Sequence, residues 1–278
     1  MKLELEGVFA RHPAAREGAP DALRGLSLRI DSGEQVAVIG PSGAGKTTLL
    51  QIMACAMPPA RGSVRLDGEL PWRLSRKALQ GLRGRLLLAP QVPPLPPRQR
   101  VVTAVLAARL PAMGFWTSVR SLFYPVDIPA AFEALAQFDL GDKLFERVDR
   151  LSGGERQRVG LARTLVAPAD LWLVDEPLSA LDPTRASQAM DSLTAAARAR
   201  GATVVGTLHQ VDAALAHFPR IIGLRDGQLA FDLPSAEVTP ARLAALYAQH
   251  EAELRNEAPL PDNTRHLSAP PPAAMHCR

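Results

Sequence analysis

EQVAVIGPSGAGKT (Glu34–Thr47) decides the fold of this chain. Its first half is an apolar run typical of a buried β-strand, and its second half, Gly40–Thr47, fits the Gly-x4-Gly-Lys-[Ser/Thr] pattern of a phosphate-binding loop. Glycines let consecutive backbone N–H groups curl around a phosphate, and the helix that begins at the loop adds its positive end. The stretch therefore predicts a strand, a loop and a helix of an α/β P-loop fold.

The loop also predicts its ligands. Lys46 is expected to reach the β- and γ-phosphates of a nucleoside triphosphate, and Thr47 to offer its hydroxyl to Mg²⁺. The residues predicted to contact the nucleotide here are Gly40, Pro41, Ser42, Gly43, Ala44, Gly45, Lys46, Thr47 and Thr48.

A second stretch, LWLVDEP (Leu171–Pro177), follows an apolar run with two carboxylates. Ligands bind at the carboxyl ends of strands in open α/β sheets, so both side chains are expected at the nucleotide. Asp175 would hold Mg²⁺, and Glu176 would activate the attacking water as a general base. The pattern is weak alone and becomes strong downstream of a phosphate loop.

Along the chain, strand-like and helix-like segments alternate, which predicts an α/β fold with a mixed sheet. Apolar strands such as VAVI and LWLV are typical of central parallel strands that are covered on both faces. Prolines and helical patterns replace strands between Gln91 and Arg150, which indicates an inserted helical subdomain. The predicted divisions are a nucleotide-binding core (1–90 and 151–238), the helical subdomain (91–150), a C-terminal helix (239–255) and a disordered tail (256–278).

Composition narrows the class of protein. The 278 residues carry a net charge of +4, and scattered arginines between Arg61 and Arg100 are interpreted mainly as a solvated face, so no nucleic acid is expected as a partner. No apolar run approaches the roughly 20 residues of a membrane helix, and the first residues do not resemble a signal peptide. The two cysteines, Cys55 and Cys277, offer no disulfide framework, and Cys55 is expected to be buried.

LSGGERQRVG (Leu151–Gly160) is the most informative remaining stretch. Ser152 and Glu155 form a Ser-x-x-Glu capping box, which predicts a helix start. Two glycines lie inside that box, although glycine costs up to about 1 kcal/mol within a helix. Their role has to be one that needs the absence of a side chain.

Leu151–Gln157, LSGGERQ, resembles the signature motif of ATP-binding cassette (ABC) ATPases, and it precedes LWLVDEP as in that family. The resemblance covers roughly residues 2 to 255. It implies that the signature of one subunit meets the γ-phosphate of ATP held by the other subunit, in a head-to-tail homodimer. The signature residues that would contact the nucleotide are Ser152, Gly153, Gly154 and Glu155.

The same resemblance assigns further residues. Gln91 matches the glutamine loop that touches Mg²⁺ or water, and His209 matches the switch histidine that contacts the γ-phosphate. Asp182 closes a loop, Ser179–Asp182, through which the subunits of the family communicate, and it also fits the cap of the following helix. His12 lies where the family usually has an aromatic residue that stacks on adenine. With Glu176, the predicted catalytic residues are Gln91 and His209.

Within the family, several stretches resemble the ATP-binding subunit of phosphonate importers, among them GFWTSVRSLF, TLHQVDAAL and LYAQHEAEL. This implies partners in integral-membrane permease subunits, an indirect link to a solute-binding protein, and a peripheral location on the cytoplasmic face of the inner membrane. The aromatic cluster Phe115, Trp116, Phe123 and Tyr124 would then lie near the permease, or else pack inside the helical insert. An importer ATPase for another solute and a non-transport soluble ABC ATPase remain as alternatives.

The stretch after Gln91 departs from the family pattern. It contains Pro93, Pro94, Pro96 and Pro97 where a mobile loop is expected. Because proline fixes φ, this segment is predicted to be stiffer than usual.

Overall fold

The computed structural model describes residues 1–12, 20–123 and 125–248, without the side chains of residues 115, 122 and 123. Its strands are β1 (Leu3–Ala10), β2 (Leu23–Ile30), β3 (Gln35–Ile39), β4 (Arg61–Leu66), β5 (Leu86–Ala89), β6 (Leu171–Asp175), β7 (Thr203–Thr207), β8 (Arg220–Arg225) and β9 (Gln228–Pro234). Its helices are α1 (Lys46–Met53), α2 (Arg76–Gly84), α3 (Val101–Leu106), α4 (Phe115–Phe123), α5 (Ile128–Ala136), α6 (Gly153–Val166), α7 (Pro183–Arg200), α8 (Val211–His217) and α9 (Pro240–Leu246).

The larger sheet has six strands in the order β5-β6-β7-β3-β8-β9. Each neighbouring pair from β5 to β8 in this order is parallel, and the edge strand β9 is antiparallel to β8. The predicted mixed sheet is therefore confirmed. Its central strands end side by side, and this brings the residues after β3, β6 and β7 to one edge.

Both faces of this sheet are buried, which explains its continuous apolar strands. Along β6, Leu171 and Leu173 pack into a core with β1, β2 and α1, whereas Trp172 and Val174 pack into a second core with α6 and α7. Successive strand residues point to opposite faces, so one apolar run serves two cores.

A second, antiparallel sheet has the order β2-β1-β4 and covers the α1 side of the molecule. The sequence pattern does not predict β4, the edge strand β9 or the helix α2. In all three elements most residues are exposed or half-buried, so their apolar pattern is weak.

The elements that the structure describes between residues 91 and 150 are helical. Helices α3 and α5 pack on α6, and an isolated bridge between Arg100 and Arg147 is the one β-type pairing found there among the described residues. The division into subdomains stays a prediction, because these helices share one hydrophobic cluster with a face of the large sheet.

The C-terminal helix α9 ends at Leu246, and the tail predicted for 256–278 lies outside the described residues. Cys55 is fully buried, as expected, and burial raises the pKa of its thiol to about 11. Among the residues described, no helix combines the length and the apolar character that crossing a bilayer requires.

Candidate nucleotide site

The loop Gly40–Thr47 connects β3 to α1, as its sequence predicts. Gly40 and Gly45 have φ angles of 152° and 100°. A Cβ on Gly40 would lie 2.0 Å from the Leu224 carbonyl oxygen, and one on Gly45 would lie 2.4 Å from that of Ala22. Both positions therefore require glycine, because any side chain would overlap neighbouring backbone.

Lys46 lies against this loop rather than pointing to solvent. Its side chain is buried, and Nζ donates to the carbonyl oxygens of Gly40 at 2.7 Å and Pro41 at 3.3 Å. The ammonium is thus held at the loop by backbone carbonyl groups. A bound anion could replace these carbonyl oxygens as its acceptor.

Asp175, the last residue of β6, is buried beside the loop. Its register partner on β7 is Thr207, whose Oγ1 donates to Asp175 Oδ1 at 2.6 Å. Burial raises the pKa of Asp175, while hydrogen bonds from the hydroxyls of Thr207 and Thr47 act in the opposite direction. The structure therefore brings together two of the three predicted Mg²⁺ ligands, Thr47 and Asp175.

Glu176 has a left-handed backbone, with φ at 46°. This conformation is uncommon for a residue with a side chain and persists where the surroundings hold it. Its N–H donates to Thr207 Oγ1 at 3.0 Å and lies 3.2 Å from the Thr207 carbonyl oxygen. Thr207 thus fixes the turn that aims the Glu176 carboxylate.

The three predicted catalytic residues meet at that carboxylate. Gln91 Nε2 donates to Glu176 Oε2 at 2.6 Å, and His209 Nε2 lies 2.6 Å from Glu176 Oε1. They come from three separate segments, which follow β5, β6 and β7. Because these strands are parallel and adjacent, the three segments lie at the same edge of the sheet. We call Gln91, Glu176, His209 and Thr207 the Glu176 junction.

Thr207 is the residue of this junction that the sequence reading misses. One hydroxyl donates to Asp175 and accepts from the Glu176 N–H, so it orients both carboxylates. A usable signal exists, because Thr207 ends the strand TVVGT two residues before His209. The pairing of β6 with β7, which places it opposite Asp175, cannot be read from the sequence.

The signature residues form the predicted capping box at the start of α6. Ser152 Oγ accepts from the Glu155 N–H at 3.2 Å, and the Ser152 N–H donates to Glu155 Oε2 at 2.7 Å. The helix begins at Gly153, directly after the Ser152 cap.

The two glycines of that box differ. A Cβ on Gly153 would meet no atom within 4 Å, whereas one on Gly154 would lie 3.0 Å from the Ala180 carbonyl oxygen. Gly153 therefore leaves the start of α6 open, which is a role that needs the absence of a side chain. For Gly154 the structure adds a packing reason, since α6 lies close to the loop that follows Glu176.

Asp182 and His12 are the two remaining residues that the resemblance assigns. Asp182 caps α7, with Oδ1 accepting from the Arg185 N–H at 3.0 Å, so the cap interpretation is confirmed and the role between subunits stays a prediction. His12 is exposed beyond the end of β1, and its stacking on adenine stays a prediction.

The proline segment after Gln91 packs on α6. A Cβ on Gly160 would lie 2.6 Å from Pro93 Cγ, so the proline ring occupies the space that the glycine leaves. Arg163 Nη1 donates to the Pro94 carbonyl oxygen at 3.2 Å. The segment is therefore fixed to the helix that carries the signature residues.

Comparison with known proteins extends this picture. The family model described as ABC transporter matches residues 23–179, which include the loop, Gln91, the signature residues and Glu176. A protein of Polaromonas sp. named Phosphonates import ATP-binding protein PhnC is 67% identical over 282 residues and covers 100% of both chains. One from Albidiferax ferrireducens, named Phosphonates import ATP-binding protein PhnC 2, is 65% identical over 278 residues, with 100% of both chains covered. A solved dimeric ATP-binding cassette, MJ0796, in a post-hydrolysis state bound to ADP and Pi, is 28% identical with a TM-score of 0.71, over 84% of this chain and 98% of that one.

Proposed function

The chain belongs to the ATP-binding subunits of ABC transporters, and from this premise we propose that it drives import of phosphonate or a related small phosphorus oxyanion by hydrolysing ATP. The observation that carries the proposal is full-length identity of 67% to a protein named for phosphonate import. The meeting of Gln91 and His209 at the Glu176 carboxylate supports the hydrolytic part.

ATP binding is assigned to the loop Gly40–Thr47 and to Thr48. Backbone N–H groups of the loop and the first turn of α1 would surround the phosphates. Lys46 already lies at the loop, so it would exchange the carbonyl oxygens of Gly40 and Pro41 for phosphate oxygens without crossing solvent. A buried cation gains most from an anion that replaces neutral acceptors, since charge-assisted hydrogen bonds are stronger.

Mg²⁺ fits the residues at the start of α1 and at the end of β6. The Thr47 hydroxyl and the Asp175 carboxylate are hard oxygen ligands, and their hydrogen bond brings them together. When bound, the ion would neutralise charge on the β- and γ-phosphates. Asp175 and Thr47 would hold it, with Gln91 as a further candidate, and Thr207 would keep the Asp175 carboxylate oriented.

Hydrolysis is assigned to Glu176 as general base. Each of its carboxylate oxygens is engaged, one by Gln91 and one by His209. When ATP is bound, His209 would turn to the γ-phosphate, and this would leave Glu176 Oε1 more accessible to the attacking water.

A second copy of the chain would complete the site. The signature residues Ser152, Gly153, Gly154 and Glu155 have contacts at the start of α6, and the open side of Gly153 leaves room for a phosphate from outside. A homodimer with two ATP molecules between its subunits follows, with Asp182 and its loop at the contact. The dimeric state of the solved cassette supports this arrangement.

The permease would contact the helical segment. Of the six large apolar side chains exposed in the described residues, five lie between Val92 and Phe145, and Trp116 is 80% exposed. Contiguous apolar patches mark interaction sites, and the concentration of these side chains in one segment supports the proposal. A peripheral position on the cytoplasmic face of the inner membrane, reached through permease subunits that receive solute from a binding protein, completes the proposal.

Uptake measurements test the solute. Cells with and without the gene are compared for uptake of methylphosphonate, phosphite and phosphate, with the wild type and Lys46→Ala as complementing copies. Loss of phosphonate uptake, restored by the wild type alone, is expected. If only phosphate or phosphite uptake is lost, that anion is the solute instead. Unchanged uptake of all three would contradict an importer of these anions.

Co-purification tests the partner. The tagged chain, extracted from membranes in mild detergent, is expected to bring integral-membrane subunits with it. Recovery solely as a soluble protein bound to nucleic acid would favour the non-transport alternative instead.

A further inference from the structure

The C-terminal helix reaches the phosphate-binding loop through one side chain. Tyr247, the residue after α9, is fully buried, and its hydroxyl accepts a hydrogen bond from the Gly40 N–H at 3.2 Å. Gly40 is the first residue of the loop, and 207 positions separate the two residues in the chain. We infer that Tyr247 is a positioning residue for nucleotide binding, because it fixes the backbone from which the loop begins.

The backbone of Gly40 needs a hydrogen bond to fix its conformation, because this residue has no side chain that could restrict it. Its φ of 152° lies in a region that glycine alone adopts readily, and the same freedom opens other conformations to it. Leu224 lies too close for any side chain at this position, so no larger residue can restrict the backbone instead. Hydrogen bonds to its N–H and C=O groups therefore determine its orientation.

The two contacts of Gly40 differ in what ATP does to them. Its carbonyl oxygen accepts a hydrogen bond from Lys46 Nζ. In the proposed function, this hydrogen bond breaks when Lys46 moves to the phosphates. Its N–H remains bonded to Tyr247. The tyrosine hydroxyl is thus the contact that holds the start of the loop in the nucleotide-bound state.

Arg225 fixes Tyr247 in turn. Its guanidinium donates to the carbonyl oxygens of Ala245 and Ala248 on either side of Tyr247. Arg225 follows Leu224, the residue against which Gly40 packs. The end of β8 therefore sets both the loop and the side chain that holds it.

Tyr247→Phe tests the inference, because it keeps the ring in the core and removes the hydroxyl. Binding of the non-hydrolysable analogue AMP-PNP with Mg²⁺ is measured by calorimetry on the full chain, together with kcat and KM for ATP. We expect Kd and KM to rise about fivefold to tenfold, as the loss of one buried hydrogen bond predicts, with kcat near that of the wild type. Binding within twofold of the wild type would overturn the inference.

Thr194→Val is the matched control. It removes a buried hydroxyl that bonds to Met190 within α7, so it lowers stability by a similar mechanism and leaves Kd unchanged. If both variants raise Kd equally, the effect is general loosening and the inference fails.

Arg225→Gln gives a second measurement. Since Arg225 acts through Tyr247, the single variant is expected to raise Kd less than Tyr247→Phe, and the double variant no more than Tyr247→Phe alone. Additive effects would contradict a shared route.

The inference rests on the phosphate-binding role proposed for the loop, and Lys46→Ala separates the two. If Lys46→Ala binds the analogue like the wild type, the proposed role of the loop is wrong. If Lys46→Ala loses binding while Tyr247→Phe and Arg225→Gln both retain it, the inference about Tyr247 alone is wrong.

Discussion

The Glu176 junction and the start of α6 differ in how far one chain completes them. At the junction both oxygens of the Glu176 carboxylate, and its backbone N–H, have partners within the chain. At the start of α6 the capping box closes on itself, and the space beside Gly153 stays open. The difference fits the proposal that one subunit would hold the base for hydrolysis, whereas the start of α6 would serve a phosphate held by another copy.

The largest effect is expected at the junction. Glu176→Gln keeps the shape of the side chain and removes the base, so hydrolysis should fall about a thousandfold. ATP binding should persist, and an ATP-bound dimer should accumulate on gel filtration. The exposed Glu237 provides the matched control, since Glu237→Gln should leave the rate unchanged. An unaltered rate in Glu176→Gln would refute the base assignment.

The next effect belongs to the start of α6. Gly153→Asp places a carboxylate in open space within its own subunit, where a phosphate of the other subunit would lie. Like-charge contact across an interface costs several kcal/mol, so hydrolysis should fall about a hundredfold while ATP still binds. Gly81→Asp is the control, because Gly81 lies in α2 and also has open space around it.

Mixing subunits sharpens the same comparison. In a head-to-tail dimer of Lys46→Ala and Gly153→Asp chains, one site carries both changes and the other carries neither. Mixtures should therefore hydrolyse ATP faster than either variant alone. A mixture no faster than its components would show that loop and signature act within one chain.

A smaller effect is expected for the residue that aligns the two carboxylates. Thr207→Val removes the hydroxyl that bonds to Asp175 and Glu176, and hydrolysis should fall about tenfold, as the loss of a hydrogen bond to a charged group predicts. Thr203→Val removes a buried hydroxyl at the other end of β7, and there the rate should remain normal. Equal losses in both would reduce Thr207 to a structural residue.

The smallest effect concerns stability at the capping box. Hydrogen bonds from the backbone and then the side chain of Ser152 hold the pKa of Glu155 below its ordinary value. A carboxylate of this kind contributes stability above its unfolded pKa of about 4.3, and the contribution is lost as pH falls through the lower folded pKa. Glu155→Gln should therefore lower the free energy of unfolding by about 0.5 kcal/mol at pH 7 and change it little at pH 3.

Ser75→Ala is its control, measured by urea unfolding at the same two pH values. Ser75 caps α2 by accepting from the Ala78 N–H, and no carboxylate completes that cap. Its loss should cost the same at both pH values. A pH-independent effect of Glu155→Gln would show that its charge contributes nothing.

The sequence predicts most of what lies in one segment. Gly40–Thr47, the strand before Asp175 and the capping box are each specified by adjacent residues, and the structure has them where expected. Thr207, Tyr247 and the weakly patterned β4 were missed. The contacts of Thr207 and Tyr247 join residues 31 to 207 positions apart, and they depend on strand order and on where α9 packs.

The contact of Pro93 with Gly160 has a consequence for how this sequence can change over time. A methyl group at position 160 would overlap the proline ring, and a smaller residue at position 93 would relieve that overlap. The residues tolerated at position 160 therefore depend on the residue at position 93. The two positions should vary together in an alignment of close relatives. The same dependence would make the effect of Gly160→Ala conditional on the residue at position 93, and Pro93→Gly should offset the overlap that Gly160→Ala introduces.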